Sequence, residues 1–259
     1  FYKTAEVYFS YIAAVCFFVV NLFWKAGETM GNIMDYLKWR GDLTFSQDAF
    51  NEVDNLLLSF VAYVNLEGLS VGAGEEQVTL EELSRRFFVL HSEEELAADK
   101  SFTRLAPYIV KMMAQSNRYR TSIISNYVNM VNPQLELQFS AVQLDLSDGS
   151  KNFCFRGTDD NIVAWKEDFN LGLGEVPSQK LASEYLNRFG VGTSPIRVSG
   201  HSKGGNLAVY AAAACKIEVQ ERITDVYSND GPGFVHEFVT SDSYKKIQNR
   251  IHRYIPDSS

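Results

Sequence analysis

Residues 197–215, with the sequence RVSGHSKGGNLAVYAAAAC, constrain the fold of this chain more than any other stretch. A β-branched, apolar run leads into the Gly-x-Ser-x-Gly pattern of residues 200–204, and an alanine-rich run follows it. Because β-branched residues favour strands and alanine favours helices, the stretch predicts a strand, a sharp turn at Ser202 and a helix. A strand that feeds directly into a helix is typical of parallel crossover units.

The segments after residue 176 continue this alternation. We predict the following order: helix 177–190, strand 195–200, helix 203–215, strand 222–230, and a helix running into a strand over 243–255. The order indicates an α/β fold with a mostly parallel sheet and flanking helices. In such sheets, ligands bind beyond the carboxyl ends of the strands, which is where Ser202 falls.

The first half of the chain has a different pattern. Residues 31–130 are predicted to be mostly helical, with apolar residues at helical spacing over 49–66 and a capping box formed by Thr79 and Glu82. Residues 135–157 alternate in hydrophobicity around an Asp-Gly turn and predict a β-hairpin. The alternation changes phase near residues 140–141, which indicates a bulge or bend there.

Composition excludes several classes of function. The chain has 259 residues, of which 46% are hydrophobic, so one or two domains with a substantial core are expected. A net charge of −8 argues against nucleic acid as a partner. Cys16, Cys154 and Cys215 are far apart in apolar runs, which predicts reduced core thiols. No histidine pairing suits a metal, so neither a metal nor a cofactor is predicted.

The Gly-x-Ser-x-Gly pattern between a strand and a helix is typical of a nucleophile elbow. In this interpretation Ser202 is the nucleophile, and Gly200 and Gly204 let the strand and the helix approach each other. The backbone N–H of Lys203, at the start of the helix, is the first predicted oxyanion donor. The alternative is an ordinary glycine-rich turn between a strand and a helix.

Several stretches of the sequence resemble known hydrolase families. The sequence FRGT, followed by W..DF and then by GHSKGG, resembles the class 3 lipase branch of the α/β-hydrolases. A closer resemblance, over about residues 31–259, is to the Mbeg1-like family of lipase-like α/β-hydrolases. The stretches that carry this closer resemblance are residues 30–64, 156–170, 200–212 and 227–234. Both resemblances imply an α/β-hydrolase-like sheet. The resemblance to class 3 lipases implies that Thr158, the residue after Arg-Gly, supplies a second oxyanion donor.

A serine hydrolase also needs an acid and a histidine after the nucleophile. Asp230, which ends a strand before a Gly-Pro-Gly turn, and Asp257, near the end of the chain, are the two candidate acids. Asp230 has an equally plain alternative role as a loop cap. Neither His236 nor His252 fits a general base, and His201 should point away from the Ser202 hydroxyl. We therefore expect the base to lie beyond residue 259.

Residues 7–24 form an uncharged run of 18 residues, the lower limit for a membrane-spanning helix. They are either a membrane anchor or an extension outside the functional protein, for which Met30 would be a natural start. The expected organisation is an apolar segment over 1–29 and a lipase-like domain over 30–259 that is incomplete at its C-terminus. The expected location is the cytoplasm, and the alternative is association with a membrane through residues 7–24.

Three functions remain open on the sequence. The first is a serine hydrolase of lipase or esterase type that cleaves an acyl-ester or lipid-like substrate through Ser202. The second is a catalytically inactive α/β-hydrolase fold used for binding or regulation. The third is a membrane-anchored interaction protein whose role is set by residues 7–24. The sequence indicates no oligomeric state.

Overall fold

The computed structural model describes residues 32–101, 103–135, 137–158, 170–171 and 174–255. The described residues form one sheet of seven strands, arranged in the order of the sequence. The strands are β1 (Val78–Thr79), β2 (Ile123–Asn132), β3 (Leu137–Asp145), β4 (Lys151–Phe155), β5 (Ile196–His201), β6 (Ile223–Asn229) and β7 (Ile251–Tyr254).

The sheet is antiparallel on one side and parallel on the other. Strands β1 to β4 pair antiparallel with their neighbours, and β4 to β7 pair parallel. Five of the seven strands, β2 and β4 to β7, therefore run in the same direction. The predicted α/β class, with a mostly parallel sheet and flanking helices, is confirmed.

Helices cover both faces of this sheet. Among the described residues they are α1 (Ile33–Arg40), α2 (Glu52–Val61), α3 (Leu80–Leu90), α4 (Glu93–Ala98), α5 (Ala106–Gln115), α6 (Pro177–Phe189), α7 (Lys203–Ala214), α8 (Ile217–Gln220), α9 (His236–Val239) and α10 (Asp242–Ile247). The predicted helices over 49–66, 177–190 and 203–215 are present as α2, α6 and α7. Short 3₁₀ turns lie at Pro133–Leu135 and Gln248–Arg250.

Two expectations were wrong in part. Strand β2 lies in the region predicted to be helical, and its irregular burial pattern hides the alternation that would reveal a strand. The predicted hairpin forms from β3 and β4, but the bulge belongs to β2, where the register shifts between Ser125 and Val128. The phase change in β3 has another cause: eight of its nine residues are buried, so both faces are covered and apolar residues need not alternate with polar ones.

The core has two layers, one on each face of the sheet. One layer packs α1 to α5 against the face that carries Val142, Leu144 and Cys154. The other packs α6 and α7 against the face that carries Phe153 and Val198. The helical N-terminal region is therefore an integral layer of the domain, since without it one face of the sheet would be exposed.

A buried ion pair fixes this N-terminal layer. The Arg118 guanidinium donates to the Asp54 carboxylate over 2.7 Å, and both side chains are fully buried. Arg118 also donates to the backbone carbonyls of Asp48 and Ala49, and the Tyr119 hydroxyl donates to Asp54. Because every charge has a partner, the cost of burying them is offset by direct hydrogen bonds.

The predicted capping box forms only in part. The Thr79 hydroxyl accepts a hydrogen bond from the backbone N–H of Glu82 and caps α3. The Glu82 carboxylate does not close the box, because it binds the side chains of Arg85 and Arg86. One half of the motif is enough to place the start of the helix.

No helix within the described ranges is long and apolar enough to cross a membrane. Residues 7–24, which carry the membrane expectation, lie outside these ranges, as does Cys16. The sequence also predicts a short helix over 161–170, of which only Asn170 lies within these ranges.

Candidate active site

The turn at Ser202 joins the end of β5 to the start of α7. The Ser202 backbone has φ 56° and ψ −129°, a region that residues other than glycine rarely adopt. The Ser202 N–H donates to the Asn229 carbonyl over 2.8 Å, and the Ser202 carbonyl accepts from the Gly205 N–H over 2.8 Å. Such a conformation costs about 1–3 kcal/mol and persists only where the surroundings hold it.

The two glycines of the motif are required by close packing. A Cβ atom at Gly204 would lie 2.1 Å from the Phe155 carbonyl oxygen, and one at Gly200 would lie 2.2 Å from the Gly204 carbonyl oxygen. Neither distance is compatible with a side chain, because the atoms met are backbone. The glycines therefore let α7 approach the ends of β4 and β5, as the sequence predicted.

The end of β4 lies directly beside Ser202. A Cβ atom at Gly157 would lie 3.1 Å from the Ser202 Cβ, 2.5 Å from the His201 carbonyl oxygen and 2.3 Å from the Tyr63 hydroxyl. Thr158, the next residue, is buried. The loop predicted to carry the second oxyanion donor and the predicted nucleophile are thus neighbours, and the role of Thr158 itself stays a prediction.

Lys203 contributes its backbone at the site and its side chain elsewhere. Its N–H is the first of α7, and the first N–H groups of a helix point out along its axis with the positive end of the helix dipole. Its Nζ is buried and donates to the Gln138 carbonyl over 2.8 Å. The side chain therefore ties α7 to β3, which leaves the amide as the group that faces the turn.

His201 is turned away from a role as base. Its Nδ1 shares a 2.8 Å hydrogen bond with the Tyr63 hydroxyl, and its Nε2 has no hydrogen-bond partner among the described residues. Burial lowers the pKa of His201 to about 4. The ring is therefore neutral at physiological pH and belongs to the packing under the turn, as the sequence predicted.

The other three histidines contact other residues or are exposed. His252, on β7, pairs with Asp225 over 2.9 Å and stacks on Tyr227. His236 is exposed at the start of α9, and His91 lies against Glu95 after α3. No histidine contacts Ser202 in the part of the chain that the structure describes.

Asp230 lies at the carboxyl end of β6, one position beyond the pairing of His201 with Asn229. It has φ 54°, and its N–H donates to the Tyr254 carbonyl over 2.8 Å. Burial raises the pKa of its carboxyl group, and the charge of Arg253 acts in the opposite direction. Asp257, the other candidate acid, lies outside the described residues.

Sequence reasoning missed the amides that hold the loops of the site. Asn206, buried in the first turn of α7, donates to the carbonyls of Pro232 and Gly233 and accepts from Gln179. Asn229, also buried, binds Asn55 in α2. The sequence carries no signal for Asn55, because it lies on the side of the predicted helix opposite Val53 and Leu57, where a polar residue is expected to be exposed.

A cavity of about 270 Å³ lies beside the site, between the loop after β6 and helices α9 and α10. Ser228 and Gly231, in its wall, also pack against the first turn of α7 at Gly205. The lining is mixed in polarity, and its larger side chains are Val209, Phe234, Val239, Tyr244, Ile251 and Arg253.

The described residues contain no group of three metal-binding side chains. Cys154 and Cys215 are unpaired, and burial raises the pKa of each thiol to about 12. They are therefore protonated and unreactive at neutral pH, as the sequence predicted for these two.

Known proteins resemble this chain in structure or in sequence. The extracellular lipase LipA from Serratia marcescens is similar in structure over 88% of this chain, with 13% identity and a TM-score of 0.38. The chain spans 40% of the length of that lipase. No curated protein sequence matches. The profile of the Mbeg1-like family matches residues 113–259, more than half of the chain, and the chain therefore belongs to the Mbeg1-like family.

Proposed function

We propose that this protein is a serine hydrolase of lipase or esterase type, with Ser202 as its nucleophile. The backbone conformation of Ser202 carries the proposal. Ser202 has φ 56°, which is strained for a residue other than glycine, and it lies between a parallel strand and a helix with a required glycine two residues away on each side. This arrangement suits a serine that acts as a nucleophile. The side chain is only partly buried, so a substrate can reach it.

The chemistry follows from the groups around the turn. The Ser202 Oγ attacks the carbonyl carbon of an ester, and the carbonyl oxygen becomes an oxyanion. The Lys203 N–H and Thr158 are the proposed donors to that oxyanion. The proton of the Ser202 hydroxyl passes to the general base during the attack and then to the alcohol, which leaves as the intermediate collapses. Water then attacks the acyl-enzyme, gives a proton to the base, and the base returns it to Ser202 as the acid is released.

The acid and the base are less defined. Asp230 and Asp257 both remain candidate acids, and Asp230 has the position at a strand end that the role requires. The four histidines at positions 91, 201, 236 and 252 are all engaged elsewhere or exposed. We propose a histidine as the base, and none of these four is assigned to that role.

An acyl ester with an apolar chain is the proposed substrate class. The cavity between the loop after β6 and α9–α10 is lined by the side chains of Phe234, Val239 and Ile251, and two of its wall residues pack against the first turn of α7 at Gly205. Its volume of about 270 Å³ is near the lower end of the range for small-molecule pockets. A short acyl chain fits such a space better than a long one.

Labelling with a fluorophosphonate tests the proposal. The full-length protein should form one covalent adduct on Ser202, found by peptide mass spectrometry, and Ser202→Ala should form none. Ser70→Ala is a matched control, because Ser70 is an exposed serine with a similar φ of 58° in a surface loop. Its labelling should equal that of the unchanged protein.

A second candidate is a catalytically inactive hydrolase fold used for binding or regulation. No histidine side chain among the described residues hydrogen-bonds to Ser202, which favours this candidate. The same experiment separates the two: a folded full-length protein that forms no adduct on Ser202 would support the second candidate and contradict the first.

A further inference from the structure

We propose that Asn229 is a positioning residue that sets the orientation of Ser202 and connects it to α2. This inference rests on the proposed function, in which Ser202 is the nucleophile. Asn229 is the last residue of β6 and is buried. It does not itself face the substrate, and it acts through the backbone on either side of His201.

Asn229 holds the turn at two points. Its backbone carbonyl accepts the N–H of Ser202 over 2.8 Å. Its side-chain Nδ2 donates to the carbonyl of Gly200 over 3.2 Å. Because the peptide groups before and after His201 are both fixed by one residue, the backbone angles that lead into Ser202 have little freedom. The strained conformation of Ser202 requires a restraint of this kind.

The side chain of Asn229 is in turn held by α2. Its Oδ1 accepts from the Asn55 Nδ2 over 2.8 Å, and its Nδ2 lies 3.2 Å from the Ser59 Oγ and 3.3 Å from the Asn55 Oδ1. All three side chains are buried. In a low-dielectric interior a fully satisfied network of this kind is rigid, because each group lost would leave its partners without a hydrogen bond.

The spacing on α2 explains how one helix reaches the turn twice. Asn55 and Ser59 are four residues apart and lie on one face. Tyr63, four residues further on and just beyond the end of α2, contacts His201 through its hydroxyl. The N-terminal layer therefore contacts β6 at Asn229 and β5 at His201, and both residues adjoin the Ser202 turn.

Asparagine is required at 229 because the position needs a donor and an acceptor on one short side chain. Aspartate would place a second acceptor against the Gly200 carbonyl. Alanine would leave Gly200 and Asn55 without their partner. In both cases the Ser202 turn loses its side-chain support while the hydroxyl itself is retained.

The test measures the saturable inactivation of the full-length protein by a fluorophosphonate. In Asn229→Ala the maximal rate of inactivation should fall by about 10- to 100-fold, because a small misplacement of the nucleophile is enough for such a loss. The inhibitor concentration at half-saturation should stay within about twofold of wild type, since the binding surface is unchanged.

Gln220→Ala is the matched control. Gln220 also buries a side-chain amide that donates two hydrogen bonds to backbone carbonyls, those of Ala212 and Ala213. These carbonyls are near the far end of α7, and about 16 Å of helix separate them from Ser202. A loss of stability without an effect on Ser202 is the expected result for this variant.

Amide hydrogen exchange of the peptide covering residues 198–206 gives a second readout. Exchange there should become faster in Asn229→Ala and stay unchanged in Gln220→Ala. If Asn229→Ala does not fold, Asn55→Ala removes the main side-chain partner of Asn229 without altering β6, and it should show the same two changes in weaker form.

The outcomes are distinguishable. An unchanged maximal rate in Asn229→Ala, or a loss no greater than in Gln220→Ala, would overturn the inference. If the unchanged protein forms no adduct, the proposed function fails, and hydrogen exchange alone then decides whether Asn229 holds the turn. Equal exchange in the two variants would overturn the inference in that case as well.

Discussion

At the residue scale, Ser202 is held in place both by the absence of side chains on neighbouring glycines and by a hydrogen bond to its backbone. The residues at 200 and 204 have no side chains, and backbone atoms of β4 and α7 fill the space. The carbonyl of Asn229 supplies the direct hydrogen bond to the Ser202 N–H. A residue can keep an unfavourable φ only when both conditions are met.

Replacing Gly204 by alanine tests the packing at the turn. The new Cβ would lie 2.1 Å from the Phe155 carbonyl oxygen, and the backbone cannot move aside as a flexible side chain would. We expect Gly204→Ala to destabilise the protein by about 3 kcal/mol or more in urea unfolding.

Gly233→Ala is the control for this substitution, because a Cβ there meets no atom within 4 Å. It should leave the free energy of unfolding close to that of wild type. Equal stability of the two variants would show that α7 does not lie as close to β4 as described.

The buried ring of His201 predicts a pH dependence of stability. The folded protein holds the pKa of this ring at about 4, below its ordinary value of 6.5. The unfolded chain therefore binds a proton between these values, where the folded protein does not. Stability from this source is complete above pH 6.5 and falls as the pH drops toward 4.

The loss at pH 5 should amount to about 2 kcal/mol relative to pH 8. In His201→Asn, which has no ring to protonate, the fall in the free energy of unfolding over the same interval should be smaller by that amount. Denaturant titrations of both proteins at the two pH values provide the measurement. Parallel pH dependence would contradict the burial of the ring.

At the element scale, α2 and β2 show what local sequence can and cannot predict. The helices α6, α7 and α10 and the strands β5 to β7 follow from propensity and periodicity, which act over a few residues, whereas the short helices α8 and α9 were not predicted. β2 was missed, because its burial comes from partners on β1 and β3 and not from its own pattern. The role of Asn229 was missed for a similar reason, since its partner Asn55 is 174 residues away.

The pair of Asp54 and Arg118 joins α2 to the segment before β2. Arg118→Met would leave the Asp54 carboxylate buried without its cation, which we expect to cost about 3–5 kcal/mol in the free energy of unfolding. Lys180→Met, which removes the exposed pair with Glu175, should leave the unfolding midpoint close to that of wild type. A similar small effect for both would contradict the burial of Asp54.

At the scale of the whole molecule, the sheet needs both helical layers. The family profile covers residues 113–259, which omits α1 to α4 and most of α5. That region alone would expose the sheet face carrying Ile124, Val142 and Leu144.

A fragment limited to residues 113–259 should therefore fail to unfold cooperatively and should aggregate. Urea unfolding followed by circular dichroism, together with size-exclusion chromatography, checks this against the full-length protein. A monomeric fragment with a sharp unfolding transition would contradict the account of one domain with two layers.

The central claim is that a tight turn presents the Ser202 hydroxyl to the backbone donors beside it. A crystal structure of the full-length protein after reaction with a small fluorophosphonate tests this most directly. We predict phosphorus bonded to the Ser202 Oγ, with the phosphonyl oxygen within 2.7–3.1 Å of the Lys203 nitrogen and of Thr158, the range for oxyanion donors. An unmodified Ser202, or a phosphonyl oxygen directed away from both residues, would contradict the claim.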